Sequence, residues 1–305
     1  MKLITLGTSG AMPTLKRSLS STVLVLDKEY VMVDCGEGTQ FRFMQAGLKW
    51  NKPLTILITH LHSDHILGIV GLLQSMDLMG RKAPVNIFGM KGIEAFIRDV
   101  GKHTSIKFDY DFKVVDLEAG DTVSFSNDWK ADTCQTVHQV PSIAFRIVLP
   151  DKEGKLDIEK CKELGIPDNS AALGQLKSGN DVQITTVNGE VKLVKSSDVV
   201  GPKQKGKIIS FSGDTRPTEL LKLFYTDSDY LVHEATFLQD EKDLAIKAKH
   251  STALEAAYIG LRAGVGHTIL NHFSARHPSG QVFYDEASKV NRNIIVARDL
   301  MEIEL

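Results

Sequence analysis

The chain is short of cysteine, of net charge and of long apolar runs, and each shortage excludes something. Its three cysteines in 305 residues, Cys35, Cys134 and Cys161, stand far apart with no CxxC pair. They build neither a disulfide framework nor a cysteine metal site, and they suit a reducing, cytoplasmic compartment. No apolar run approaches the ~20 residues of a membrane helix, so no membrane partner is expected. The opening MKLITLGTSGAM has too short an apolar stretch for a signal peptide. A formal charge of −2 offers no general attraction to polyanions. Any nucleic-acid contact would therefore rest on local patches.

What is present is a rhythm of short apolar strands, glycine-rich turns and helices. KLITLG, STVLVLD and YVMVDCGEG read as strands, the last running into a tight turn. TQFRFMQAGL has helical spacing that sets Phe41, Met44 and Leu48 on one side. LTILIT (54–59) is a buried strand by its β-branched content, and ILGIVGLLQSMDLMG a mostly apolar helix. PVNIFG and GIEAFIRDVGK repeat the alternation. A second half is expected to begin near FKVVDL (112–117) and to continue through TVSFS, DWKADTCQTVH, SIAFRIVLP, KIISFSGDT, DYLVHEATF, TALEAAYIGLRAG, HTILNHFS and NIIVARD. Two such halves predict an α/β fold, an αβ/βα four-layer sandwich with helices outside two facing sheets. Residues 151–206 break the rhythm and read as a protruding arm inserted in a single domain, 1–305. Its last limb carries Lys192, Lys195, Lys203, Lys205 and Lys207 against Asp198, either a solvated loop or a binding surface.

The chemistry concentrates in THLHSDHILG (59–68). His60 and His62 alternate on an extended chain and reach one ion, while Asp64 and His65 are displaced toward a second. Four such side chains after a buried strand are hard to explain as packing, since buried imidazoles and carboxylates are costly unless paired or metal-bound. His138 in TVHQVPS, Asp214 in FSGDT and His272 in LNHFS, each at a strand end, complete a nitrogen and oxygen donor set that suits zinc. Two ions roughly 3.5–4 Å apart would share a hydroxide at neutral pH and favour displacement at phosphorus or carbon. His233 in HEAT and His250 in KHST remain metal-free, suited to general-acid work near neutrality, with Glu234 as an orienting partner. Ser251 or Thr252 reads as the N-cap of the following helix.

LGTSGAMPTLKRSLSS, DCGEGTQFR, THLHSDH, VHQVPS, SGDTRP, HEATF, KHST and HFSARHP together resemble the metallo-β-lactamase superfamily and, within it, the tRNase Z family, across nearly the whole chain. The resemblance implies the sandwich fold, two zinc ions per subunit (manganese being the other option), precursor tRNA as substrate and a homodimer. It implies that His60, His62 and His138 hold one ion, that Asp64, His65 and His272 hold the other, and that Asp214 bridges them. Asp34 supports the site. Asp64 acts as base or orients the hydroxide, and His250 protonates the departing 3′-oxygen with Glu234 and His233 in support. The cut falls 3′ of the discriminator nucleotide and removes the trailer. Lys16, Arg17 and Arg276 become RNA contacts near the cut, and Lys177, Lys203 and Lys205 contacts of the arm, whose tip departs from the family pattern at 168–172. The alternatives are a same-fold phosphodiesterase for small or cyclic nucleotides, an arylsulfatase, or an RNA-binding scaffold on an inactive hydrolase fold.

Overall fold

The β-branched runs separated by glycine turns fold, among the described residues, into two seven-stranded mixed sheets. The computed structural model describes residues 1–104, 108–168, 170–185 and 191–305. Asn169, within the departing tip 168–172, lies outside them. The first sheet runs in the order Met301–Glu304, Lys2–Gly7, Ser21–Val25, Tyr30–Val33, Leu54–Ile58, Val85–Met90 and Phe112–Leu117. Its first three pairings are antiparallel and its last three parallel. The second runs Ile294–Val296, His267–Asn271, Tyr230–Glu234, Ile208–Phe211, Ile143–Val148, Lys130–Gln135 and Thr122–Ser124. It is parallel through its first three pairings and antiparallel through the rest. Phe112–Leu117 thus closes the first sheet, so the second half starts one strand later than the sequence pattern suggests.

Strand alternation explains the layers. Ile4, Leu6, Val23, Met32, Ile56, Ile58 and Ile87 pack with Phe43, Ile69, Leu72, Leu73, Met76 and Ile93 from the helices on one face of the first sheet. Leu3, Leu24, Val31 and Leu57 alternate with them and are just as fully buried, so the other face is covered too. In the second sheet Leu231 and Leu270 meet helical residues, Leu221 and Tyr225 in one case and Ala253, Ala257 and Phe283 in the other. Helices therefore cover the outer faces, and the α/β sandwich is the architecture. No helix among the described residues is long and apolar enough to cross a membrane.

One helix turns the other way from its sequence reading. In Thr39–Gln45 the buried residues are Thr39 and Phe43, while Phe41 and Met44 are 60% and 51% exposed. Of the three apolar side chains that mark a face in the sequence only Leu48 is buried, and Phe43 joins it in the core, against Tyr30 and Trp50.

Residues Leu149–Lys207 form a compact unit of their own. They are more than the aperiodic loop that the sequence suggests. Helices Ile158–Glu163, Ala171–Lys177 and Ser196–Val199 join a hairpin, Val182–Thr185 with Val191–Val194. Cys161, Ile166, Leu176, Ile184, Val194 and Val199 make its small core. Each helix lasts only one or two turns, too short for a period to show in the sequence.

Substituting Phe43→Ala is expected to lower unfolding free energy by about 3–5 kcal/mol, and Phe41→Ala by no more than about 0.5 kcal/mol. Denaturant melts of both variants check the assignment.

Candidate metal centre

Each donor follows the carboxyl end of a strand. Asp34 follows Tyr30–Val33 and His60 follows Leu54–Ile58. In the second sheet His138 follows Lys130–Gln135, Asp214 follows Ile208–Phe211 and His272 follows His267–Asn271. His62 is the extended residue before the one-turn helix Ser63–Ile66, which carries Asp64 and His65. Two glycines let that helix approach. A Cβ on Gly68 would lie 1.9 Å from the Gly36 carbonyl oxygen, and one on Gly36 would lie 2.5 Å from the Asp64 oxygen. The contact is sealed by Cys35 N donating to His65 O and Gly68 N donating to Cys35 O.

The donor atoms converge on one space. His60, His62, His138 and Asp214 offer ligand atoms within 4.8 Å of one another, as do Asp64, His65 and His272. His62 Nδ1 lies 3.1 Å from both His60 Nε2 and His138 Nε2. His65 Nε2 and His272 Nε2 are 3.3 Å apart, and Asp64 Oδ2 stands 3.5 and 3.4 Å from them. Asp214 Oδ2 faces both groups, 3.4 Å from His272, 3.5 Å from His65, 3.6 Å from His60 and 3.8 Å from His138. A tetrahedral ion with bonds near 2.0–2.1 Å sets its ligand atoms roughly 3.3 Å apart, so these separations fit a cation of zinc type.

The opposite edge of four of the five imidazoles is held. His65 Nδ1 donates to Asp34 Oδ2 at 2.8 Å, and His138 Nδ1 to the Lys249 carbonyl at 3.1 Å. His60 Nδ1 meets Thr59 Oγ1 at 3.0 Å, while that hydroxyl donates to Asp34. His272 Nδ1 meets Thr236 Oγ1 at 2.9 Å, and Thr236 donates to Glu234 Oε2 at 2.6 Å. These partners fix the tautomers so that Nε2 lone pairs point inward. Asp34, Lys249 and His272 adopt positive φ of 58°, 57° and 59° to reach these positions. Electrostatics agree with a cation. Burial and neighbouring His65 push His60 well below its ordinary value, leaving it a neutral ligand. Burial opposes ionisation of Asp214, but His272, His65 and His60 hold it well below the carboxylate range.

His250 stands apart from the donor set. Its ring stacks on His272 at 5.5 Å and lies 3.9 Å from Asp214, yet its Nδ1 donates to Glu234 Oε1 at 2.9 Å. An Nδ1 that carries a proton toward Glu234 has no lone pair for a metal, although its position also satisfies a grouping with Asp214 and His272. Burial alone would lower the His250 pKa, but the charge and hydrogen bond of Glu234, with Asp214, lift it to about 9. Thr252 caps the following helix, its hydroxyl accepting from Glu255 N.

His233 is not brought to the site. Alternation puts Glu234 toward the space between the sheets and His233 on the helix side, where its ring edge meets Tyr225 and its Nδ1 its neighbour's carbonyl. Arg17 is also engaged: Nη2 donates to the carbonyls of Ser274 and His277, and the guanidinium lies 5.7 Å from the Phe273 ring centre. Lys16 is exposed, and Arg276 reaches Glu241 at 3.4 Å. Within Leu149–Lys207, Lys177 and Lys205 are exposed and Lys203 pairs with Glu153 at 2.8 Å. The sequence reading missed Thr59, Thr236, the Lys249 carbonyl and the Ala11 amide, which donates to Asp64 Oδ2 at 2.7 Å. Thr59 and Thr236 were visible in THLHSDH and HEATF, beside chemistry-bearing residues.

Two facing mixed sheets carrying this His/Asp cluster at their strand ends define a metal-dependent hydrolase of the metallo-β-lactamase fold. The family described as Anti-Pycsar protein Apyc1 matches residues 1–156. Ribonuclease Z of Nitrosopumilus maritimus is 40% identical over 306 residues, covering 100% of both chains. Ribonuclease Z of Methanosarcina mazei is 36% identical, covering 100% of this chain and 98% of its own. The chain belongs to the ribonuclease Z family. The human tRNase Z short form shares the fold, with a TM-score of 0.68 at 22% identity, covering 100% of this chain and 99% of its own.

Replacing Glu234 by Gln is expected to bring His250 down from about 9 toward its ordinary value near 6.5. An NMR pH titration of the histidine ring protons reads the shift, and an unmoved His250 would contradict the pairing.

Proposed function

We infer that this chain is a metal-dependent endoribonuclease that hydrolyses tRNA precursors 3′ of the discriminator nucleotide, leaving a tRNA 3′-hydroxyl and a trailer with a 5′-phosphate. The observation that carries the reading is the Glu234–His250 pair set beside the donor cluster, 3.9 Å from Asp214, in a chain related end to end to ribonucleases Z.

We propose two zinc ions, one held by His60, His62 and His138, the other by Asp64, His65 and His272, with Asp214 shared. When bound, such a pair supplies a hydroxide nucleophile at neutral pH and neutralises charge on the phosphoryl oxygens. Asp64 Oδ2, steadied by the Ala11 amide, accepts the proton of the attacking water or orients it. His250, its Nδ1 turned to Glu234, offers Nε2–H to the departing 3′-oxygen. Glu234 itself is fixed by the Thr215 and Thr236 amides. Lys16 and Arg276 contact RNA near the cut. Arg17, tied to backbone carbonyls, shapes the loop rather than reading a base.

Leu149–Lys207 acts as the tRNA-binding arm, with Lys177, Lys203 and Lys205 meeting phosphates in a sequence-independent, salt-sensitive way. A homodimer accords with the exposed Phe41, Met44 and Leu67, which leave apolar surface at 60%, 51% and 50% exposure. A role in tRNA maturation favours the cytoplasm as its location. The second reading is a same-fold phosphodiesterase for small substrates; the family match covers residues 1–156 alone. That segment ends before Asp214, Glu234, His250 and His272, so it does not contain the acid pair.

Asp64→Ala is expected to abolish trailer cleavage, by at least about 10³-fold, while gel-shift affinity for precursor tRNA stays within about twofold. Unchanged cleavage would refute the mechanism. Deleting 160–200 should weaken precursor binding strongly yet leave hydrolysis of bis(p-nitrophenyl) phosphate close to wild type. Equal losses in both would refute the arm's role.

A further inference from the structure

The loop between the first two long strands of the first sheet carries two contacts to the metal centre. Ala11, at φ 58°, donates its amide to Asp64 Oδ2 at 2.7 Å. Gly10 lies so close to His272 that a Cβ there would sit 2.4 Å from the ring. A loop that aims one hydrogen bond at a reactive carboxylate must itself be fixed, because a misplacement of about 1 Å is costly to catalysis. Local bonds only partly fix it. Ser9 Oγ donates to the Met12 carbonyl, and Ser9 N to the Ser18 carbonyl.

Ser9–Gly10 also pairs with Phe273–Ser274, with Phe273 N donating to the Thr8 carbonyl, and a further restraint comes from the far end of the chain. Thr8 Oγ1 donates to Asp299 Oδ1 at 2.7 Å, and Ser18 N donates to Asp299 Oδ2 at 2.6 Å. One carboxylate therefore holds both ends of the loop. Arg42 completes the clamp, with Nη2 3.3 Å from Asp299 Oδ2 and Nε donating to Ser18 Oγ at 2.6 Å. The Asp299 side chain is only 8% exposed. Its backbone is set by the flanking residues: the Arg298 carbonyl accepts from Thr5 Oγ1 at 2.6 Å, and Leu300, at φ 63°, donates its amide to the Thr5 carbonyl at 2.7 Å.

We propose that Asp299 is a positioning residue for the reaction: by clamping Thr8 and Ser18 it holds the Ala11 amide against Asp64 and so fixes the carboxylate that serves the second ion and the nucleophile. The assignment rests on the metal-hydrolase reading of Asp64. Asp299 touches neither substrate nor donor atoms. It acts through the loop, and loss of one carboxylate oxygen suffices to release the Ser18 end.

The test uses the full chain with Asp299→Asn, which keeps size and an acceptor for Thr8, and with Thr8→Val as the milder break. Metal titration of the apoprotein should show two binding events in wild type. In Asp299→Asn one of them is expected to weaken by about 10–100-fold while the other is unchanged. At saturating metal, kcat should fall by about 10-fold or more on both precursor tRNA and bis(p-nitrophenyl) phosphate, with KM for the RNA unchanged. Thr8→Val should show the same pattern at smaller size. In an Asp64→Asn background, Asp299→Asn should weaken metal binding no further, because its route has been removed. A raised KM for precursor tRNA with normal turnover of the small ester would overturn the proposal, since the loop would then serve substrate binding. So would an additive loss in the Asp64→Asn background, or two unchanged metal affinities in either single variant. Failure of wild type to cut precursor tRNA would count against the RNA substrate alone and leave the metal-affinity comparison intact.

Discussion

One buried carboxylate oxygen sets the terms for the whole molecule. Asp214 Oδ2 has His272, His65, His60, His138 and His250 at 3.4, 3.5, 3.6, 3.8 and 3.9 Å. An ionised group at 3% exposure is costly unless positive charge lies beside it. Four of these imidazoles crowd around it, an arrangement that a shared cation reconciles. The two sheets are therefore committed to one edge. The strands ending at His60, His138, Asp214 and His272 must all direct their carboxyl ends to the same place. Parallel pairing in each sheet, and the double antiparallel step from Ile208–Phe211 to Lys130–Gln135, achieve that.

Around that oxygen the chain arranges a second layer of polar partners, most of them backbone groups or threonine hydroxyls. Asp34 and Glu234 occupy equivalent stations in the two sheets, each at a strand end, each accepting from an amide and a threonine, each paired to a histidine. The equivalence stops at function. Asp34 turns the lone pair of His65 toward the donor cluster. Glu234 accepts a hydrogen bond from His250 Nδ1, so that ring stands beside the donor set. The same carboxylate–imidazole pairing thus occurs within the donor cluster at one end and beside it at the other.

The strands and the donors were legible because both leave a strong local mark. Alternating or continuous β-branched residues identify strands, and His60, His62, Asp64 and His65 lie within six positions. His138, Asp214 and His272 were legible as strand-end residues and by family resemblance. Several things left no mark. The face of the Thr39–Gln45 helix was misread because Phe41, Phe43 and Met44 are alike in composition, and only the fit against Tyr30 and Trp50 separates them. His233 was misread because adjacent residues on a strand look toward opposite faces, so HEAT delivers its glutamate and withholds its histidine. The Ala11 amide and Lys249 carbonyl carry no label in any sequence, since every residue has such groups.

Where the donors sit along the chain also constrains how the activity is assembled. Residues 1–156, the segment matched by the family described as Anti-Pycsar protein Apyc1, supply His60, His62, Asp64, His65 and His138. They lack Asp214 and His272, so neither donor group is complete without the later strands of the second sheet. That sheet also brings Glu234 and His250. Glu234 and His250 are therefore contributed by the same half of the chain that brings Asp214 and His272. Thr236 makes the coupling explicit. Its hydroxyl donates to Glu234, accepts from His272 Nδ1 and lies 3.2 Å from His250 Nδ1. One side chain thus ties His272 to the Glu234–His250 pair, so the second sheet orients them together.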